Sequence, residues 1–305
     1  MSVVVRQLIN SNGGLHNMQS SGPAAVFVLP ALLAMWQEVM GWNGLSISCG
    51  EAGLVGFEKA TAIGKLFFSM PYGGYGGIEG VGDCGEVFAW LKSKKYLQEN
   101  IVQFDSSRAV TFPEIYSATK LSTHIIELSQ RAPYSENTTR NVGKAAEHKF
   151  SITKLDSSSE GVLIRLLDTH QKRTGEMRRL PQSCYKFLLA RSGQSNSGIA
   201  VYGATNHEGL QCIHIYFATA GDAFYFDGFS TEAGLEQGAN FFVLDTMIKR
   251  FREDGNARLN LGATPKFDKG LRRFKEGWGA TDVAYTEYCR RSQVKRMVDF
   301  MTRLR

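Results

Sequence analysis

Two rhythms of apolar residues alternate along the chain. Ser2 to Ile9 alternates apolar and polar positions, the period-two pattern of a half-buried strand. The run AAVFVLPALLAMW, Ala24 to Trp36, is then broken by Pro30. Proline suits the first helical position, so a helix carrying Leu32, Leu33, Met35, Trp36 and Val39 is expected from there. The short apolar runs LSIS (45–48), LVGF (54–57) and KLFFSM (65–70) predict strands joined by tight turns. Asp83, with Glu86 three residues on, marks a helix start with Phe88, Leu91 and Tyr96 inward. IVQF (101–104) and THIIEL (123–128) restore the strand pattern.

The polar, basic stretch YSENTTRNVGKAAEHK, Tyr134 to Lys149, predicts a helix bridging two domains, and FSITKL after it predicts a strand. Ser157 with Glu160 forms a capping-box pattern ahead of GVLIRLLDTHQK, and Pro181 opens a helix through YKFLLAR. Three strands follow, with turns at NHEG and AGD. Phe241, Leu244, Ile248 and Phe251 recur at helical spacing, and RLNLG (258–262) predicts a final core strand. In the tail, Val294, Met297, Val298, Met301 and Leu304 share one helical face among basic residues. The order strand, helix, antiparallel strands, helix, strand thus occurs twice.

At 305 residues, 43% of them apolar, the chain is long enough for two domains with ordinary cores. Its 32 glycines, spread along the chain, suit many tight turns. The apolar run at 24–36 is too short to span a bilayer and begins too late for a signal peptide. Five separated cysteines without a C-x-x-C pair argue against zinc or a disulfide framework and for a reducing cytosol. The six histidines show no metal spacing, so no metal is expected. A net charge of +6 admits an anionic partner without requiring one.

The most unusual chemistry lies in GLRRFKEGWGA, Gly270 to Ala280. Arg272, Arg273 and Lys275 stand beside Phe274 and Trp278, the composition of an anion site with an aromatic wall. Solvated charges on a strand-end loop would be the plainer account. Asp227, in YFDG, is the best acidic candidate for proton transfer, although aspartate before glycine also marks an ordinary turn. PYGGYGGIEG (71–80) is the densest glycine run, but it lacks the ending of a P-loop.

Three segments in order, RNVGKAAEHKFSI (140–152), FYFDGFSTEAGLEQGANFFVLDTMIKRFREDG (224–255) and LNLGATPKFDKGLRRFKEGWGA (259–280), resemble the FemABX-type peptidyl transferases and their relatives in the GNAT superfamily. The resemblance implies an α+β fold of two tandem GNAT-like domains with mostly antiparallel mixed sheets flanked by helices. They are placed at 1–146 and 147–289, with the tail 290–305 returning to the first. It implies acyl transfer to an amine by direct attack in a ternary complex, with aminoacyl-tRNA or acyl-CoA as donor substrate and no tightly bound cofactor. The implied acceptor is a small-molecule or lipid-linked amine, and no DNA partner is expected. Phe274, Lys275, Gly277, Trp278 and Gly279 match the F-K-x-G-[FW]-G stretch. Lys275 would then stabilise the oxyanion, Phe274 and Trp278 would wall the site, and Arg272 and Arg273 would clamp phosphate. Tyr72 and Tyr75 become acceptor contacts.

Two departures qualify that reading. Coenzyme A-dependent relatives carry [QR]-x-x-G-x-[GA] at the central helix, where this chain has Leu235 and Asn240 at the first and last positions. Leu29 to Gly44 contains no Lys or Arg for an acceptor's phosphates. An acyl-CoA-dependent acetyltransferase and a non-catalytic protein binding a nucleotide sugar or RNA therefore remain alternatives. For the tail, a helix closing on the first domain and a basic face for tRNA or anionic lipid both stay open.

Overall fold

A computed structural model describes residues 3–8, 22–80, 84–104, 110–130, 133–175, 180–265 and 267–303. The elements run β1 (Val4–Gln7), α1 (Pro30–Ala34), β2 (Asn43–Cys49), β3 (Ala52–Thr61), β4 (Gly64–Phe68), β5 (Ile78–Glu79), α2 (Gly85–Ser93), β6 (Gln98–Phe104) and β7 (Ser117–Glu127). There follow α3 (Glu136–Glu147), β8 (Ser151–Lys154), α4 (Glu160–Thr174), α5 (Gln182–Ser192), β9 (Ile199–Asn206), β10 (Gly209–Ala218), β11 (Asp222–Ser230), α6 (Glu232–Glu236), α7 (Ala239–Glu253) and β12 (Arg258–Ala263). The chain closes with α8 (Lys269–Glu276), β13 (Thr281–Arg291) and α9 (Gln293–Arg303). Among the described residues, no helix is long and apolar enough to cross a membrane.

The chain divides into two units, one of residues 1–121 with 284–305 and one of residues 122–283. The division therefore falls inside β7 and β13 rather than at 146/147. The reason lies in α3, which packs on α7 and so belongs to the second unit instead of bridging the two. Residues 284–305 belong to the first unit.

Each unit traces the same path. In the first, β2, β3 and β4 pair antiparallel in succession, and after α2 the strand β6 pairs parallel with β4. In the second, β9, β10 and β11 pair antiparallel, and after α7 the strand β12 pairs parallel with β11. The duplicated element order is thus a duplicated topology. β6 then pairs antiparallel with β13, and β12 with β7. β13 has no counterpart in the sequence expectation, because TDVAYTEYCRR interleaves Asp, Thr, Glu and Arg with its apolar residues and its partner lies far away in the chain.

One helix start differs from expectation. Ser157 and Glu160 form no capping box; Asp156 caps the turn instead, its Oδ1 accepting from Ser158 N at 2.9 Å. The carboxylate one residue earlier is the stronger acceptor for free backbone N–H groups. Asp83 and Leu304 lie outside the described residues. α1 starts at Pro30 as expected and continues as a π-helical turn, Met35–Val39.

The first core gathers Leu45, Ile47, Leu54, Phe67, Val87, Leu91 and Ile101. The second sets Val243, Leu244, Met247, Ile248 and Phe251 of α7 against Tyr202, Cys212 and Tyr216 of the sheet.

Candidate active site

The parallel ladder between β11 and β12 joins only three residue pairs, ending at Phe224 with Asn260. Beyond it the two strands part, and the end of β12 is bent aside by its own polar groups. Asn260 Oδ1 accepts from Thr123 Oγ1 at 2.6 Å and from Gly262 N at 2.8 Å. A pocket of about 260 Å³ opens beside these strands, lined by His214, Tyr225, Asn240, Leu244, Leu261, Leu271, Phe274 and Lys275. The first unit has the same short parallel ladder, Leu66 to Phe68 against Gln98 to Asn100. There the glycine-rich run 71–80 fills the neighbouring space: Gly76 bridges Val102, Gln103 Oε1 accepts from Ile78 N at 2.8 Å, and Tyr75 is 1% exposed.

α8 presents the basic residues in an order that a helix, not a loop, decides. Asp268 caps it by accepting from Leu271 N at 2.8 Å. Leu271, Phe274 and Lys275 then face the pocket, while Arg272 and Arg273 are exposed. At the C-terminus only glycine fits at 277, since a Cβ there would stand 2.5 Å from Thr138 Oγ1 and 3.0 Å from Ser135 Oγ. Ser135 N donates to Gly277 O at 2.9 Å, so the start of α3 fixes the end of α8.

Lys275 is 4% exposed, and its Nζ donates to Gly262 O at 2.9 Å and Ala263 O at 2.8 Å. A buried ammonium persists only when it is hydrogen-bonded, and these two carbonyls anchor it beside the parted strands. His214 lies across the pocket, its Nδ1 2.9 Å from Tyr216 Oη. Burial pushes its pKa down to about 3, so the imidazole is neutral near pH 7. The pocket therefore combines a fixed cation with the neutral polar groups of His214, Tyr225 and Asn240 on an apolar floor. None of the three is assigned to a pocket by the sequence, where Asn240 stands out only as a departure from the coenzyme A motif, although a histidine inside the apolar run CIHIYF is itself a signal.

Asp227 does not reach this pocket. Ile215 pairs with Asp227 and Tyr216 with Tyr225, so Phe226 is an extra residue on β11. Such a bulge breaks the alternation of the strand, and it leaves Tyr225 facing α7 while Asp227 faces α5. There Asp227 Oδ2 accepts from Tyr185 Oη at 2.8 Å, and Oδ1 from Gly228 N at 3.0 Å. Trp278 is likewise no wall of the pocket. It is 0% exposed, within the core beside Tyr134, Phe241 and Phe274 at ring-centroid distances of 5.0, 5.7 and 6.1 Å.

Arg272 pairs with Asp282 at 2.9 Å on the surface, and neither Arg272 nor Arg273 lines the pocket. In the first unit Tyr75 is packed among Phe27, Phe104 and Tyr285. Tyr72 is 40% exposed with φ +53° and stacks on Trp36 and Trp42. Phe274 and Lys275 are thus the residues of the expected set that share the pocket.

A buried polar cluster adjoins the loop after β12. His124 is 1% exposed at its side chain, with Nδ1 3.3 Å from Thr264 Oγ1. Its Nε2 stands 3.2 Å from Asp282 Oδ1 but out of line with it, an electrostatic contact rather than a hydrogen bond. Desolvation lowers the His124 pKa and outweighs the opposing pull of Asp282.

The N-terminal turn of α7, the position of the coenzyme A motif, is occupied differently. Gly238 adopts φ +77°, and a Cβ there would meet Ala145 Cβ at 3.3 Å and Asn141 O at 3.4 Å. α3 thus packs closely against the turn, and Asn240 turns toward the pocket.

Compared by sequence, the chain matches no family model and no curated protein. Solved structures are similar at the level of the backbone. FemX superposes with a TM-score of 0.60 at 12% identity, over 83% of this chain and 90% of that one. L-PGS from Bacillus licheniformis gives 0.61 at 13% identity, over 88% and 90%. The C-terminal domain of an Agrobacterium fabrum protein described as a lysylphosphatidylglycerol synthetase gives 0.62 at 12% identity, over 89% and 90%. These superpositions show that the chain shares its backbone fold with FemX and L-PGS.

Proposed function

We propose that the chain is an N-acyltransferase, moving an aminoacyl or acyl group from a carrier to an amine on a cell-envelope or surface-polysaccharide precursor. The observation that carries this reading is the anchored ammonium of Lys275 in the pocket beside the parted strands β11 and β12. When an amine attacks an ester or thioester, a C–N bond forms, the carbonyl oxygen carries transient negative charge, and the carbon–oxygen or carbon–sulfur bond then breaks, the proton lost by the amine ending on the released hydroxyl or thiol of the carrier. A fixed cation in a water-poor pocket stabilises that charge without reorganising. Asn240 supplies a neutral donor nearby, while Leu244, Leu261, Leu271 and Phe274 limit water. Attack is direct in this reading: among the described residues, no cysteine or serine lines the pocket to hold an acyl group.

An aminoacyl ester, as on tRNA, fits this chain better than acyl-CoA. Leu235 and Asn240 replace the motif residues, and α3 packs on the turn where pyrophosphate would need free backbone N–H groups. The test is a mass-spectrometric turnover assay offering charged tRNA and acyl-CoA separately, each with a pool of cell-wall and amino-sugar nucleotide acceptors. Product from charged tRNA that disappears in Lys275→Met supports the proposal. Product from acyl-CoA alone would make the chain an acetyltransferase, and ligand binding with no product from either donor would make it a binding protein.

A further inference from the structure

α9 turns its apolar face the wrong way for a helix that only closes the fold. Val294, Met297, Phe300 and Met301 are 51%, 65%, 64% and 62% exposed. The charged Lys295 and Asp299, paired with each other through one helical turn, are only 21% and 27% exposed at their side chains. An amphipathic helix packed for stability alone shows the reverse arrangement, apolar residues inward and charges outward. The residue that enters the helix is tied to its unit: Ser292 N donates to Leu97 O at 2.8 Å. With Lys295 and Asp299 turned inward, the apolar face looks outward.

We propose that α9 docks the protein on an anionic lipid surface. Exposed apolar patches on soluble chains mark contact surfaces, and the charge around this one selects the contact. Arg290 to Arg305 holds six Arg and Lys residues against one Asp; Arg290 is engaged with the buried Glu99 and Lys295 with Asp299, which leaves an excess of four arginines. Arg291 and Arg296 are exposed beside the apolar face. A second copy of the chain would bring the same excess of positive charge against itself. Nucleic acid would meet the charge but leave four apolar side chains without a use. An anionic bilayer satisfies both, with Met297, Phe300 and Met301 entering the acyl boundary and the arginines remaining at the headgroups. The docking surface is independent of the acyl-transfer reading and is tested without a turnover assay.

The experiment is co-sedimentation of the full chain with phosphatidylcholine vesicles, with and without phosphatidylglycerol, at low and high salt. The chain should pellet with the anionic vesicles and be released by salt. Arg296→Glu should weaken the binding about fivefold or more, and Met297→Glu/Phe300→Glu should abolish it while circular dichroism and melting temperature stay at the parent values. Failure to bind anionic vesicles, equal binding to neutral ones, or undiminished binding by the double variant would each overturn the proposal. Light scattering that finds a dimer dissolved by the double variant, without vesicle binding, would assign the face to a second copy instead.

Discussion

Tyr225 and Asp227, two residues apart on one strand, point to opposite faces of the sheet because the bulge at Phe226 inserts an extra residue between them. Tyr225 lines the pocket beside Lys275, whereas Asp227 accepts from Tyr185 on the other side. The two positions should separate activity from stability. Tyr225→Phe should lower turnover while leaving the melting temperature close to that of the parent. Asp227→Asn should leave turnover near the parent value and cost on the order of 1–2 kcal/mol by weakening a hydrogen bond to a charged group. Paired kinetics and denaturant titrations would check this, and loss of turnover in Asp227→Asn alone would return the aspartate to the catalytic set.

Lys275 has two duties, and one substitution touches both. Its ammonium anchors Gly262 and Ala263 through their carbonyls. Lys275→Met leaves two acceptors without a donor, at about 1–3 kcal/mol each. Turnover should fall about 100-fold or more, the usual cost of losing one oxyanion donor. The comparison is made on the folded fraction, well below the melting temperature. Unchanged turnover there would limit the lysine to its structural duty.

The end of α8 is set by contact with α3, so it should respond to crowding. Gly277→Ala places a methyl group 2.5 Å from Thr138 Oγ1, and overpacking of this kind costs roughly 1–3 kcal/mol. Thr138→Ala removes the nearer obstacle. The double variant should therefore be more stable than the sum of the single effects predicts, measured as a coupling energy in a double-mutant cycle. Strict additivity would mean that the strain lies elsewhere.

Acid should destabilise the second unit through its buried imidazoles. The His214 pKa drops from 6.5 to about 3 on folding because burial disfavours the cation, and that of His124 is lowered in the same direction. A depressed histidine pKa means that the unfolded chain binds a proton the native state refuses. Stability is thus full above about pH 6.5 and falls as pH drops toward 3, with a slope of about 1.4 kcal/mol per unit from His214 alone. His214→Gln should flatten that slope in urea titrations across the range, and an unchanged slope would remove His214 as its source.

Much of this protein is written in local patterns. Helical spacing in α7, the strand alternation on either side of it and the proline openings of α1 and α5 need only near neighbours in the chain, so the duplicated order of elements is readable from residues alone. Phe274 and Lys275 were legible as chemistry because a cation between aromatic side chains is uncommon in a purely solvated surface. Other features required the tertiary structure. A bulge is a mismatch between two strands, so no reading of YFDG by itself could tell that Asp227 faces away from the pocket. β13 takes its identity from hydrogen bonds to β6, nearly two hundred positions earlier. Whether Trp278 walls a pocket or fills a core depends on where α3 and α7 stand, and whether α9 turns its apolar face inward or outward depends on how Ser292 is seated on Leu97. The period of a helix states which residues share a face; only packing decides which way that face looks.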